Sequence, residues 1–162
     1  MRLIQGQRLA ELVESSIKHF VPANVHDTEL DICLGNKIWV EKDRHNTQRV
    51  HVMSPNDWNS HLVERVIPPH GVTLLPWRFM LAETREYFDM PPNVQGMLTL
   101  RSWAAKTGLE QSSSLLLKRD WSGHLIMELF NSLATFELLM TPGLPIAQIQ
   151  FFDISEDLDD GK

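Results

Sequence analysis

From residue 71 onward the chain is a close succession of short, apolar-alternating pieces, near 72–75, 78–84, 95–101, 123–130, 135–140 and 146–152. Turn signals part them: Pro91-Pro92, Gly108, Asp120 to Gly123, and Pro142-Gly143. Proline cannot donate to a β-ladder, and glycine adopts turn conformations that other residues avoid, so each break ends a strand. Many short strands between such breaks predict a mainly β barrel or sandwich. Strands do not alternate with helices, which argues against a Rossmann-type parallel sheet. No internal repeat is present.

The N-terminal part reads differently. Leu9, Leu12, Val13 and Ile17 fall at helical spacing, with Glu11, Glu14 and Lys18 on other faces, and Pro22 ends the helix or lies just past its end. Leu30, Ile32 and Leu34 then alternate with Asp31 and Cys33 as a strand. Gly35-Asn36 reads as a turn, and Ile38, Trp39 and Val40 as the start of a second strand. Arg49 to Met53 is another short alternating piece. Asn56 to Val66 fits a short helix or an excursion between strands. The segment Asp153 to Lys162 reads as a flexible acidic tail on a single domain spanning 1–162.

Composition narrows the function. The 162 residues are 43% apolar and 22% charged, ordinary globular usage. No apolar run approaches the ~20 residues of a membrane helix, and no secretory leader is evident. The single cysteine, Cys33, cannot form an internal disulfide or a cysteine-rich metal site, which fits the cytoplasm. A net charge of -6 argues against nonspecific nucleic-acid binding. The histidines form neither HxxxH nor HExxH. The zinc nucleobase-deaminase pattern, the P-loop and the G-x-G-x-x-G fingerprint are all absent.

Four features carry chemistry. Glu128 sits in His124-Leu125-Ile126-Met127-Glu128-Leu129-Phe130, and a carboxylate in an apolar strand is costly unless paired or facing a polar cavity. A solvent-facing position is the plainer reading. Alternation, however, puts His124 and Ile126 on the same face, and partial desolvation would raise the pKa to suit a general base. The run Arg101-Ser102-Trp103-Ala104-Ala105-Lys106 offers two cations and a hydroxyl at the end of a strand, either as a surface helix capped by Ser102 or as an anion site. Asp120-Trp121-Ser122-Gly123 reads as a hairpin turn with a packed indole. Asp31 alone is a strand acid.

Together these segments resemble the dCTP deaminase branch of the dUTPase-like fold. Leu30-Asp31-Ile32-Cys33-Leu34-Gly35-Asn36-Lys37 looks like the family's V-D-[VL]-R-L-G-N-K. Arg101 to Leu109, RSWAAKTGL, is similar to R-S-S-L-A-R-L-G-L at the same length. Trp121-Ser122-Gly123 and Glu128-Leu129-Phe130-Asn131 look like W-S-G followed by L-E-[LF]-x-N. Pro142 to Gln148 resembles P-G-x-x-I-[GA]-Q. The opening Met1-Arg2-Leu3 and the run Leu81 to Tyr87 agree in order.

The resemblance implies a mainly β, distorted jelly-roll or barrel subunit with an N-terminal helix and short extra helices. It implies a homotrimer with active sites between subunits. Magnesium would come with the nucleotide triphosphate, and no zinc would be used. Glu128 would activate water for attack on cytosine C4, turning dCTP into dUTP and ammonia. Ser102 would hold that water and the cytosine edge. Arg101 would contact phosphate or brace the site. Lys106 replaces an arginine, keeping the charge but losing the planar fork. Ser114 falls where a backbone carbonyl lies near the base, and Trp121 and Gln148 fall among the nucleotide-binding positions.

Departures bear on activity. Trp103 replaces a small serine near the phosphates. Lys118 stands where the family has the aspartate of I-D-P-G, the catalytic position in dUTPases, which counts against dUTPase activity. The sequence ends at Lys162, where the family continues into a tail over the triphosphate. The first expectation is therefore a cytosine-nucleotide deaminase, for dCTP, dCMP or a modified nucleotide. The alternatives are a noncatalytic trimer that binds a nucleotide or a protein, and then a dUTPase.

Overall fold

The computed structural model describes residues 1–42, 60–112 and 116–155. In chain order the elements are β1 Arg2–Ile4, α1 Gln7–Ser16, β2 Ile17–Lys18, a 3-10 turn Pro22–Asn24, β3 Leu30–Glu41, β4 Leu62–Val66, β5 Val72–Leu74, β6 Phe79–Asp89 and β7 Val94–Leu100. There follow α2 Ser102–Lys106, β8 Leu109–Gln111, β9 Leu116–Leu117, β10 Ser122–Asn131, β11 Leu138–Met140 and β12 Pro145–Asp153. The fold is mainly β, as the strand-and-turn rhythm predicts.

One sheet dominates, in the order β8-β10-β6-β3-β12-β7-β9, with β1 on β12, β2 on β6 and β4 on β3. Every pairing is antiparallel. β5 and β11 form a separate two-stranded ribbon. The main sheet curls around a core drawn from most of its strands, including Ile32 and Leu34 of β3, Met80 of β6, Met127 and Leu129 of β10 and Phe151 of β12. From α1, Leu9 and Val13 plug into this core with no exposed surface, each burial being worth about 1.5–3 kcal/mol. Among the described residues no helix is long and apolar enough to cross a membrane.

The structure departs from the sequence reading at several places. Gly35-Asn36 is not a turn, because β3 runs unbroken from Leu30 to Glu41. Its glycine serves a close approach of two strands instead. Leu34 pairs with Thr84 and Ile38 with Ala82, so β3 bulges between them. A Cβ at Gly35 would lie 2.6 Å from the Glu83 carbonyl oxygen and 3.0 Å from that of Thr84. Those contacts are backbone and cannot rotate away. Gly35→Ala is therefore expected to cost about 1–3 kcal/mol, read as a lower urea midpoint. An unchanged midpoint would mean the strands part freely there.

Other corrections are smaller. Ile17 belongs to β2, not to the helix. Leu62–Val66 is a strand, so neither a helix nor a loose excursion holds there. Asp120 to Gly123 is no hairpin, since β9 pairs with β7 whereas β10 lies between β6 and β8. Asp153 is part of β12, opposite Arg2 and Val94, and binds Arg8 at 2.9 Å, so order extends into the expected tail. Arg49 to Met53 and residues 156–162 lie outside the described residues.

Candidate functional site

Glu128 lies in the middle of β10, opposite Leu81 of β6, which in turn faces Trp39 of β3. His124 pairs with Tyr87 and Ile126 with Glu83, so the irregularity falls on β6 and the alternation of β10 survives. Ile126, Glu128 and Phe130 thus share one face, as alternation predicts. Ile126 is exposed, so this face is open at that end. The Glu128 carbonyl accepts the Ser112 N–H at 3.0 Å. Its side-chain Oε2 is buried and has no hydrogen-bond partner among the described residues. Burial without a partner raises the Glu128 pKa, because the charged form loses water and gains nothing. The group is a carboxylate short of a donor, and a water molecule or a ligand amine would supply one.

A second cluster lies at the start of α2. Gln148 of β12 stands opposite Asp31 of β3 on one side and Thr99 of β7 on the other. Arg101 follows just past the end of β7, fixed by its backbone N–H to the Ile146 carbonyl at 2.8 Å. Its Nη1 donates to Asp31 Oδ1, and Gln148 Oε1 lies 3.5 Å away. Asp31, 7% exposed, is thus no ordinary strand acid. Its Oδ2 takes a second partner, His26 Nε2, at 3.1 Å. His26 was not legible as a site residue, since it precedes the strand with no motif around it.

Arg101, not Ser102, is the N-cap of α2, and no side chain makes the capping bond. Ser102 is the first helical residue and is exposed with Lys106 one turn on. Ala104 is buried and anchors the helix. Gly108 ends the segment at a positive φ of 87°, where a Cβ would strike Leu133 at 2.5 Å. Trp103 is exposed. Trp121 is too, with its indole over Gly123 and not packed into a core. Ser114 lies outside the described residues.

The structure therefore brings Arg101 and Gln148 together and sets Ser102 and Lys106 on the helix beside them. Among the described residues no hydrogen bond or ion pair joins Glu128 to Arg101, Ser102 or Lys106. A cavity of about 40 Å³ opens beside β10, lined by Leu98, Gln111, Leu117, Leu125 and Met127 among others. It has room for water and not for a nucleotide. The Gln111 Oε1 is buried beside it with no partner among the described residues. Among the described residues no three His, Cys, Asp or Glu side chains gather where a metal ion could be held.

Comparison with known proteins gives a consistent answer. A family model described as dCTP deaminase-like matches residues 3–154. A dCTP deaminase of Buchnera aphidicola subsp. Baizongia pistaciae is 31% identical over 134 residues, 78% of this chain and 69% of its own length. A dUMP-forming dCTP deaminase of Methanosphaerula palustris is 30% identical over 158 residues, 94% of this chain and 81% of its own. The crystal structure of a 2'-deoxycytidine 5'-triphosphate deaminase from Agrobacterium tumefaciens superposes with a TM-score of 0.72 over 93% of this chain at 17% identity. This chain spans 48% of the length of that one. The fold is thus shared with the dUTPase-like architecture expected from the motifs.

Proposed function

This chain belongs to the dCTP deaminase-like family, and on that premise we propose that it hydrolyses the 4-amino group of a cytosine deoxynucleotide, most simply dCTP. The observation that carries the reading is the buried Oε2 of Glu128, which has no partner among the described residues. A desolvated carboxylate with a raised pKa is a stronger base than an exposed one, and it lacks a donor that a water molecule would provide. In the proposed step Glu128 takes a proton from that water, and the hydroxide oxygen bonds to C4. The proton passes to the pyrimidine and on to the amine, the C4–N bond breaks, and ammonia leaves a uracil nucleotide. Ser102 would hold the water and the cytosine edge, with Lys106 supplying charge.

Arg101, Gln148, Trp121 and Ser114 are proposed to bind the nucleotide. Magnesium would arrive on the triphosphate oxygens and neutralise part of their charge, and no step above passes through it. The same proposal includes a homotrimer whose sites lie between subunits. Two observations support it: among the described residues no hydrogen bond or ion pair joins Glu128 to α2, and Met97, Leu116 and Ile126 expose apolar side chains. A cytoplasmic setting fits the one thiol, which is buried.

The test is product analysis after incubation with dCTP, dCMP and dUTP, each with magnesium, resolving dUTP, dUMP and ammonia. Deamination of a cytosine nucleotide is expected. Pyrophosphate from dUTP alone would move the function to a dUTPase, and binding without turnover to a noncatalytic member of the fold. The rate should also fall on the acid side at a higher pH than an ordinary glutamate would give. The ionised form is the base, and burial makes ionisation harder. A pH–rate profile that stays flat down to the ordinary carboxylate range would remove Glu128 from the role.

A further inference from the structure

Asp31 is nearly buried, and its carboxylate has a nitrogen partner on each oxygen: Arg101 Nη1 on Oδ1 and His26 Nε2 on Oδ2. Gln148 Oε1 lies on the same Nη1 at 3.5 Å. The inner end of the guanidinium is therefore occupied. Its other edge, Nε–H with Nη2–H, makes no hydrogen bond among the described residues, and the Arg101 side chain keeps 28% of its surface exposed. That edge is the parallel two-donor fork that matches a pair of phosphate oxygens.

Charge alone does not favour an anion there, because Asp31 cancels the Arg101 cation. What Asp31 adds is orientation. An unrestrained arginine must give up rotamer freedom to present its fork, and a held one has already done so. We infer that Asp31 is a positioning residue, which turns Arg101 so that its free edge receives the phosphate chain of the nucleotide. Gln148 and His26 complete the frame, Gln148 from β12 and His26 from the segment before β3. The inference rests on the nucleotide reading proposed above and names Asp31 as the residue that fixes its phosphate contact.

The alternatives predict opposite signs, so the test is decisive. Asp31→Asn keeps the shape and removes a negative charge. Were Asp31 only an electrostatic neighbour, that change would tighten phosphate binding. As a positioning residue, its loss should weaken binding even though the local charge becomes more positive. The experiment is calorimetric titration of the full chain with dCTP and magnesium, with deoxycytidine, and with inorganic tripolyphosphate.

For Asp31→Asn the expected result is about tenfold weaker binding of dCTP and tripolyphosphate, with deoxycytidine binding unchanged. Arg101→Lys, which keeps the charge and loses the fork, should show the same loss. The double variant should lose little more than either single one, since both changes remove one contact. Equal or tighter dCTP binding by Asp31→Asn would overturn the inference and leave the deaminase reading standing. An equal loss for deoxycytidine, or a full additive loss in the double variant, would reduce Asp31 to a structural residue. Should Asp31→Asn fail to fold, Arg101→Lys decides: unaltered tripolyphosphate binding would overturn the inference. A wild-type protein that neither binds nor turns over any of the nucleotides would sink the functional proposal itself.

Discussion

Glu128→Gln is expected to lower deamination by about 10³-fold, the scale of a lost general base, and to leave the melting temperature at or slightly above that of the native chain. The two halves of this expectation have one cause. Oε2 is buried without a partner among the described residues, and desolvation raises the pKa of the group. A raised carboxylate binds its proton more tightly in the folded state than in the unfolded chain. Stability therefore falls as pH rises through the ordinary carboxylate range toward the raised value. At neutral pH the folded protein bears that cost, and glutamine removes it. An amide, however, cannot take a proton from water. A variant both inactive and undiminished in stability separates chemistry from folding. Steady-state turnover of a cytosine nucleotide with a parallel melt gives the answer, and normal turnover by Glu128→Gln would exclude this residue as the base.

The sequence reading reached the fold because strand breaks are local. Proline and glycine act on their own φ and hydrogen bonds, so β5, β7, β10, β11 and β12 could be placed from alternation and turn signals to within a few residues, whereas β6 runs five residues past its expected end and the short β8 and β9 carried no such pattern. It singled out Glu128 as a candidate for a related reason, since one charged residue in an apolar strand violates alternation visibly. It failed where glycine does something other than turn. Gly35 lies where two bulged strands approach, which depends on β6, more than forty residues away in sequence. It also underrated Asp31. A strand acid looks the same in sequence whether it meets water or an arginine from beyond β7, and only the register of β3, β12 and β7 distinguishes them. Glu86 had a signal that went unused. It shares the parity of Ala82, Thr84 and Phe88 in β6, all of them fully buried, which marks it as inward-facing.

That residue carries the second large effect. Glu86 has no exposed surface, its Oε2 accepts the Cys33 N–H at 3.0 Å, and its Oε1 is buried with no partner among the described residues. Around it the irregular stretch of β6 is tied down by other donors. Thr84 Oγ1 donates to the Glu86 carbonyl at 2.9 Å, and His124 Nδ1 lies 2.9 Å from the Thr84 carbonyl and 3.0 Å from that of Glu86. The carboxylate thus satisfies a β3 amide beside the bulge, where the ladder with β6 is interrupted. Its cost is electrostatic: burial, only partly offset by hydrogen bonds and the Arg85 charge, lifts its pKa from 4.5 to about 7. The adjacent Cys33 thiol, pushed up to about 12 by burial first, stays neutral and offers no counter-charge. Because the folded value is the higher one, this group's contribution to stability is whole below pH 4.5 and falls as pH rises to about 7. The fall amounts to about 3 kcal/mol. Glu86→Gln should abolish that slope. Its amide leaves one N–H without an acceptor at every pH, a constant offset that cancels when two pH values are compared. Urea denaturation at pH 5 and pH 8 is therefore expected to show native stability dropping more steeply than that of the variant, by up to about 3 kcal/mol. Parallel pH dependences for the two proteins would mean that Glu86 stays ionised throughout, held by a donor that the buried Oε1 does not have here.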